Sequence, residues 1–303
     1  MFAATRLFRA VVRLILAVHV VAGPCDLSAQ PRWERVLPTA DVTLRDPRSL
    51  SVSVEGLLYI ADTGHQRVIA VDSAGRLVAE TGGIGAAHGQ FRWPTVVIAD
   101  RGNAVWVLDR GNRRIEKFTR SLEYQGTVTI PSSGDEGRGQ PDAVGASPQG
   151  DLYVFDRDGG RIIHFDPLFR TQAELGSGTG SQFVSNVTSM AFVAKVGLFW
   201  WERGSSEIRR TDLLLNPLPP LRLPNLPREL VLASADTCLI YGSLGGVMSR
   251  CGHSTVPDTL LSGNYLRECG LKSVQSISLA PDQWLYLLDN RQGAVFRAHV
   301  TRE

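Results

Sequence analysis

An aspartate and an arginine five residues apart recur three times in this chain, as Asp62 with Arg67, Asp109 with Arg114, and Asp156 with Arg161. At that spacing a carboxylate and a guanidinium can meet across a hairpin turn as a charge-assisted pair. An enzyme has little use for one catalytic pair built three times. The pairs are therefore expected to fix turns, each contributing ~0 to 1 kcal/mol if exposed. The remaining reactive side chains are scattered. Histidines stand at 19, 65, 88, 164, 253 and 299, and no two have metal-ligand spacing within one element. There is no Gly-Lys-Ser or Gly-Lys-Thr phosphate loop, no Gly-x-Ser-x-Gly elbow and no His-Glu-x-x-His. The glycine-rich run from Gly82 to Gly89 lies between strands rather than ahead of a helix, which disfavours a phosphate cradle.

The elements that position these residues follow from a repeat. The acid that closes a short apolar run at Asp62 returns as Asp109, Asp156, Glu202 and Asp289, with Gly242 in the slot of one further copy. The spacings are 47, 47, 46, 40 and 47, and a period in the forties marks a repeat architecture. The first copy parses into four antiparallel strands, Ser49 to Val54, Leu57 to Ala61, Arg67 to Val71 and Leu77 to Glu80. Four strands per unit is the blade of a propeller, so the fold class is all-β, a six-bladed β-propeller over residues 30–303. The last copy ends after three strands. The unpartnered stretch Trp33 to Leu37 is expected to supply the fourth and close the ring without a free sheet edge. Both faces of a blade pack on neighbours, which accounts for runs that are apolar throughout, such as Leu198-Phe199-Trp200-Trp201. On a strand, Trp200 and Trp201 must point opposite ways.

The cysteines allow a sharper inference. Centring the turn of the fifth copy on Leu244-Gly245, as alignment to Gly64-His65 requires, places Cys238 opposite Cys251 on adjacent strands. Directly opposed residues lie close enough for a disulfide. The alternative is a buried, reduced pair, with Cys269 bonded to one of them or to neither.

The N-terminus reads as a secretory signal over residues 1–29. Arg6, Arg9 and Arg13 precede an apolar run, Leu14 to Ala22, well short of the ~20 residues a membrane span needs. Cys25 after that run has the general form of a lipoprotein signal. Pro24 directly before it departs from that form, so the expectation is plain export to the periplasm or outside the cell, with a lipid anchor at Cys25 as the alternative. Removing residues 1–29 leaves 29 basic and 29 acidic residues. No basic field then remains to attract nucleic acid or anionic lipid.

The copies resemble the NHL repeat, in which a strand ends in Asp, Gly-Asn marks the turn and Arg-Ile or Arg-Val opens the next strand. The pattern stands as Leu58-Tyr59-Ile60-Ala61-Asp62 with Gly64-His65-Gln66-Arg67-Val68, and as Val105-Trp106-Val107-Leu108-Asp109 with Gly111-Asn112-Arg113-Arg114-Ile115. Leu152-Tyr153-Val154-Phe155-Asp156 with Arg161-Ile162 is a third copy, while the fifth matches by position only. The resemblance implies a rigid binding scaffold that takes a protein or envelope component at the ring face or central opening. Gln90-Phe91-Arg92-Trp93 is the preferred contact segment, since an Arg between two aromatics suits a partner surface. The competing reading is that Phe91 and Trp93 plug the ring. No cofactor is expected. Propellers resembling this one also include amidating lyases and lactone hydrolases that hold zinc or calcium in the tunnel, so a Ca- or Zn-dependent enzyme is the alternative.

Overall fold

The computed structural model describes residues 33–131, 139–176, 184–223, 227–235, 237–251 and 257–300. The proposed signal, with Cys25 and His19, lies outside the described residues, as does His253. Strand β1 (Trp33–Leu37) precedes the first blade, which comprises β2 (Ser49–Val52), β3 (Leu58–Asp62), β4 (Arg67–Val71) and β5 (Leu77–Gly82). Blade two is β6 (Pro94–Ala99), β7 (Val105–Asp109), β8 (Arg114–Phe118) and β9 (Tyr124–Val128). Blade three is β10 (Pro141–Ala146), β11 (Leu152–Asp156), β12 (Arg161–Phe165) and β13 (Thr171–Leu175). Blade four is β14 (Val187–Val193), β15 (Gly197–Glu202), β16 (Glu207–Thr211) and β17 (Pro217–Arg222). Blade five is β18 (Val231–Ala235), β19 (Cys238–Ser243), β20 (Gly246–Cys251) and β21 (Asp258–Ser262), followed by the short helix α1 (Gly263–Glu268). Blade six holds β22 (Ser276–Leu279), β23 (Trp284–Asp289) and β24 (Ala294–His299). β1 pairs antiparallel with β24 as its outer strand, with Trp33 opposite Ala298 and Glu34 opposite Arg297. This is the six-bladed ring, closed by the N-terminal strand, that the repeat predicts.

The core is divided among the blade interfaces, which is why the second strands carry no polar face. β3, β7 and β11 are buried at every position. Tyr59 and Ala61 of blade one pack with Phe91, Val107 and Phe118 of blade two, and a comparable cluster fills each of the other five junctions. Trp200 joins the cluster shared with blade three and Trp201 the cluster shared with blade five, as alternation along a strand requires.

Blade five is more complete than its sequence suggests, because β21 and α1 follow its third strand. Ser262 caps α1 by accepting a hydrogen bond from the Tyr265 amide at 3.3 Å. Cys238 and Cys251 lie opposite one another and are joined by a disulfide, with Cα atoms 4.0 Å apart. Cys269 is a free thiol.

Candidate functional site: the tunnel and its mouth

The recurrent acids are fully buried junctions. Asp62, Asp109 and Asp156 are each 0% exposed and stand opposite Arg67, Arg114 and Arg161 in the strand register. Arginine Nε to aspartate Oδ2 distances are 2.8, 3.3 and 3.2 Å. The second carboxylate oxygen has a different task. It accepts the backbone amide of the loop leading into the same blade, from Arg45 (2.8 Å), Arg92 (2.8 Å) and Gln140 (3.0 Å). Each arginine reaches on to a carbonyl of that loop: Arg67 to Thr43, Arg161 to Pro131, and Arg114 to Ala86, Ala87 and Gln90. In blades one to three a buried ion pair thus welds the hairpin to the crossing that leads into the blade. Burial pushes the Asp109 carboxyl above its usual range, against the pull of Asn112, the Arg92 amide and Arg114.

These bonds also place the segment from Gln90 to Trp93. Phe91 is fully buried between blades one and two, so it offers no surface to a partner. Arg92 is exposed, and Trp93 is 63% exposed at a φ of 57°. Gln90 accepts from Arg114 through its carbonyl, and the Trp93 amide donates to Gln66 Oε1 at 2.7 Å. The segment is a strap over a blade junction, and none of its four side chains lines the central cavity. The glycine-rich run beside it is held by Arg114 and by Glu116, whose Oε2 accepts the Gly89 amide at 3.2 Å.

The cavity is formed by the first strand of every blade. β2, β6, β10, β14, β18 and β22 touch in sequence, and β22 returns to β2, enclosing a tunnel of about 700 Å³. Serines stitch these inner strands together. Ser49 Oγ bonds both the amide and the carbonyl of Val97 (3.2 and 3.3 Å), and Ser276 Oγ does the same to Leu50 (3.1 and 3.2 Å). Ser51, Ser278 and Ser189 accept the amides of Ala99, Val52 and Leu232. Backbone groups on an inner edge have no strand to pair with, and these hydroxyls partner several of them.

The mouth of the tunnel lies where the inner strands begin, next to the recurrent acids. Pro94 is opposite Asp109, Pro141 opposite Asp156 and Val187 opposite Glu202. In these three blades the first strand carries a bulge at its second residue, which sets Thr95, Asp142 and Thr188 out of register. The residue after each acid is Arg110, Arg157 or Arg203, and all six of these bulge and arginine residues line the cavity. Asp142 holds Arg110 through its Oδ1 and lies 3.7 Å from Arg157 through its Oδ2. Arg203 is exposed and makes no side-chain bond among the described residues. Thr95 keeps a buried hydroxyl with no partner among the described residues. The sequence reading followed the arginine five places after each acid and overlooked the one directly after it. The signal was visible as Asp109-Arg110, Asp156-Arg157 and Glu202-Arg203.

The donors needed for a tunnel metal do not converge. Among the described residues no group of three or more His, Cys, Asp or Glu could hold an ion, and no described histidine lines the cavity. His65 bonds Asp62 at 2.7 Å, His88 stacks on Tyr124, His164 lies between Tyr153 and Asp151, and His299 meets Trp284 edge-on. Of the acids at the cavity wall, Asp100 is engaged by Trp106 Nε1 (2.9 Å) and the Ala104 amide (2.8 Å), and Asp142 by its arginines. Glu229 makes no side-chain bond among the described residues. These residues do not fit a resident Zn or Ca.

No protein-family model matches the sequence, and no curated protein does. Solved structures match the fold. A virginiamycin B lyase from Staphylococcus aureus superposes with a TM-score of 0.61 at 11% identity, over 90% of this chain and 100% of that one. A gluconolactonase of Xanthomonas campestris gives 0.61 at 13% identity, over 90% and 96%. The WD40 repeats of RRP9 give 0.58 at 11% identity, over 89% and 97%. At such identities the likeness establishes the β-propeller and nothing about activity, since enzymes and WD40 proteins appear side by side. No helix among the described residues is long and apolar enough to cross a membrane.

Proposed function

We propose that this chain is an exported, non-enzymatic binding propeller of the NHL-repeat kind, which takes its ligand or partner at the mouth of the central tunnel. The observation that carries the reading is the chemistry of the wall. Among the described residues the wall offers serines already committed to neighbouring backbones, small apolar side chains, two acids already hydrogen-bonded or ion-paired, and one further acid, Glu229, with no histidine or second acid bonded to it. Nothing there is poised as a nucleophile–base couple. The N-terminal signal supports export, and the balanced charge of the mature chain disfavours nucleic acid. A protein or envelope component remains the expected partner class. The rigid ring suits this role, because every blade is joined to the next by a packed cluster and buried ion pairs reinforce blades one to three.

The likeness in fold to a lyase and a gluconolactonase keeps metal-dependent lyase or lactone hydrolysis as the rival reading. Mature protein incubated with gluconolactone or with a streptogramin, each with and without added Zn, Ca or Mg, separates the two. The expected result is no turnover above buffer in any mixture. Metal-dependent turnover of either compound would overturn the binding-only reading.

A further inference from the structure

Repetition makes departures from symmetry informative, and here two independent departures coincide. Blades two, three and four have the inner-strand bulge, and the same three blades place an arginine directly after the recurrent acid. Blades one, five and six differ: blade five pairs through the acid slot without a bulge, the inner strands of blades one and six begin their pairing one residue short of the acid, opposite Ala61 and Leu288, and the residues after the slot are Thr63, Ser243 and Asn290. A bulge turns a side chain that would otherwise alternate away, and such features concentrate beside binding sites. Half of the mouth therefore differs from the other half in backbone and in charge together.

We propose that this half, Arg110, Arg157 and Arg203 with Asp142 between the first two, is a site for the oxyanion of a small molecule, a carboxylate or a phosphate. The proposal rests on the reading of the tunnel as a binding site. Three guanidiniums gathered at one rim repel one another; Asp142, between Arg110 and Arg157, and Asp158, 3.9 Å from Arg157, offset two of the charges and leave that of Arg203. An anion removes the remaining imbalance. Guanidinium forks match the paired oxygens of a carboxylate or phosphate, where an ammonium would act only as a point charge. Asp142 also holds Arg110 and Arg157 in place, so that less freedom is lost when the ligand arrives. The Thr95 hydroxyl, on the same blade as Arg110 and without a partner among the described residues, is a further donor for the same group. Behind the rim, Ala143, Gly145 and Ala191 leave room for the uncharged part of the molecule, in a cavity of the size that small-molecule sites have.

Calorimetric titration of the mature protein with citrate, with inorganic phosphate and with uncharged maltotriose tests this, repeated at low and at high NaCl. Citrate or phosphate is expected to bind, more weakly at high salt as screening increases. Whichever of the two binds more tightly identifies the oxyanion. Arg203→Ala is expected to weaken that binding by about tenfold or more, the loss of one charge-assisted contact. Arg203→Lys should recover part of it and guards against a folding defect in the first variant. Arg48→Ala, at the blade-one rim where Asp46 already engages the guanidinium, should leave affinity nearly unchanged. Anion binding that is equally strong in wild type and Arg203→Ala would overturn the assignment. So would binding of maltotriose with no binding of either anion, although tunnel binding itself would then stand. Silence from all three probes would overturn the anion site too, whereas the binding reading fails separately, by metal-dependent turnover.

Discussion

At the scale of single residues, the buried aspartates do the most to hold the ring in register, and Asp289 is the fullest case. Its carboxylate accepts from the Lys272 amide (2.6 Å), Ser273 Oγ (2.6 Å), the Arg291 and Gln292 amides (3.0 and 3.2 Å) and Gln292 Nε2 (2.6 Å). Burial pushes its pKa up, but the bonds from Ser273, Gln292 and the Lys272 and Ser273 amides outweigh that and hold it below the usual range. A carboxyl depressed in the folded state stabilises above its unfolded pKa, and that stability is lost as pH falls through the folded value. Asp289→Asn should therefore cost ~3 kcal/mol at neutral pH, with the gap to wild type closing in acid, as read from urea midpoints across pH. A gap that stayed constant with pH would contradict the account. The recurrence of these acids was legible in the sequence because the repeat displayed it. Their burial was not, since exposure depends on the loop from the preceding blade lying over each one. The sequence left the exposure of these pairs open, and the structure places the carboxylates wholly inside.

At the scale of elements, strand pairing was readable wherever two copies could be aligned. The facing of Cys238 and Cys251 followed from the turn register alone, because opposed positions in a hairpin are fixed once its centre is known. What local pattern could not reveal was β21 and α1. Pro257 precedes that strand, and α1 opens on Gly263, a poor helix former, so tertiary packing of Leu261 and Leu266 decides both. The turns between third and fourth strands concealed another departure. Gly75 takes the left-handed position in blade one, but Leu122, Phe169 and Leu215 hold the same conformation in blades two to four. Their side chains join blade-junction clusters, which offsets a backbone strain that a turn rule would have avoided by choosing glycine. Blade five lacks an acid in the recurrent slot, and its disulfide supplies a tie of another kind. With the bonded cysteines 13 positions apart in sequence, replacing both by Ser should lower stability by ~2–3 kcal/mol. The loss should appear in the denaturant midpoint, with faster amide exchange concentrated in β19 and β20. Unchanged exchange in those strands would mean that the bridge is dispensable.

At the scale of the whole molecule, closure and asymmetry tell different parts of the story. Closure was legible: a last copy short by one strand and an orphan strand at the other end leave few ways to finish a ring. β1 completes blade six, with Glu34 bonded to Arg297 at 2.6 Å. The site was legible only in part. Gln90 to Trp93 drew attention by composition, yet packing sends Phe91 into a junction, while the mouth is assembled from residues of separate blades that no local motif unites. The account as a whole is that the ring is a binding platform, since among the described residues no group of His, Cys, Asp or Glu converges to hold a metal. Elemental analysis of protein purified from the exported fraction without chelator and then dialysed tests that claim most directly. The account predicts Zn and Ca far below one ion per chain; a stoichiometric ion that survives dialysis would contradict it and return attention to a catalytic tunnel.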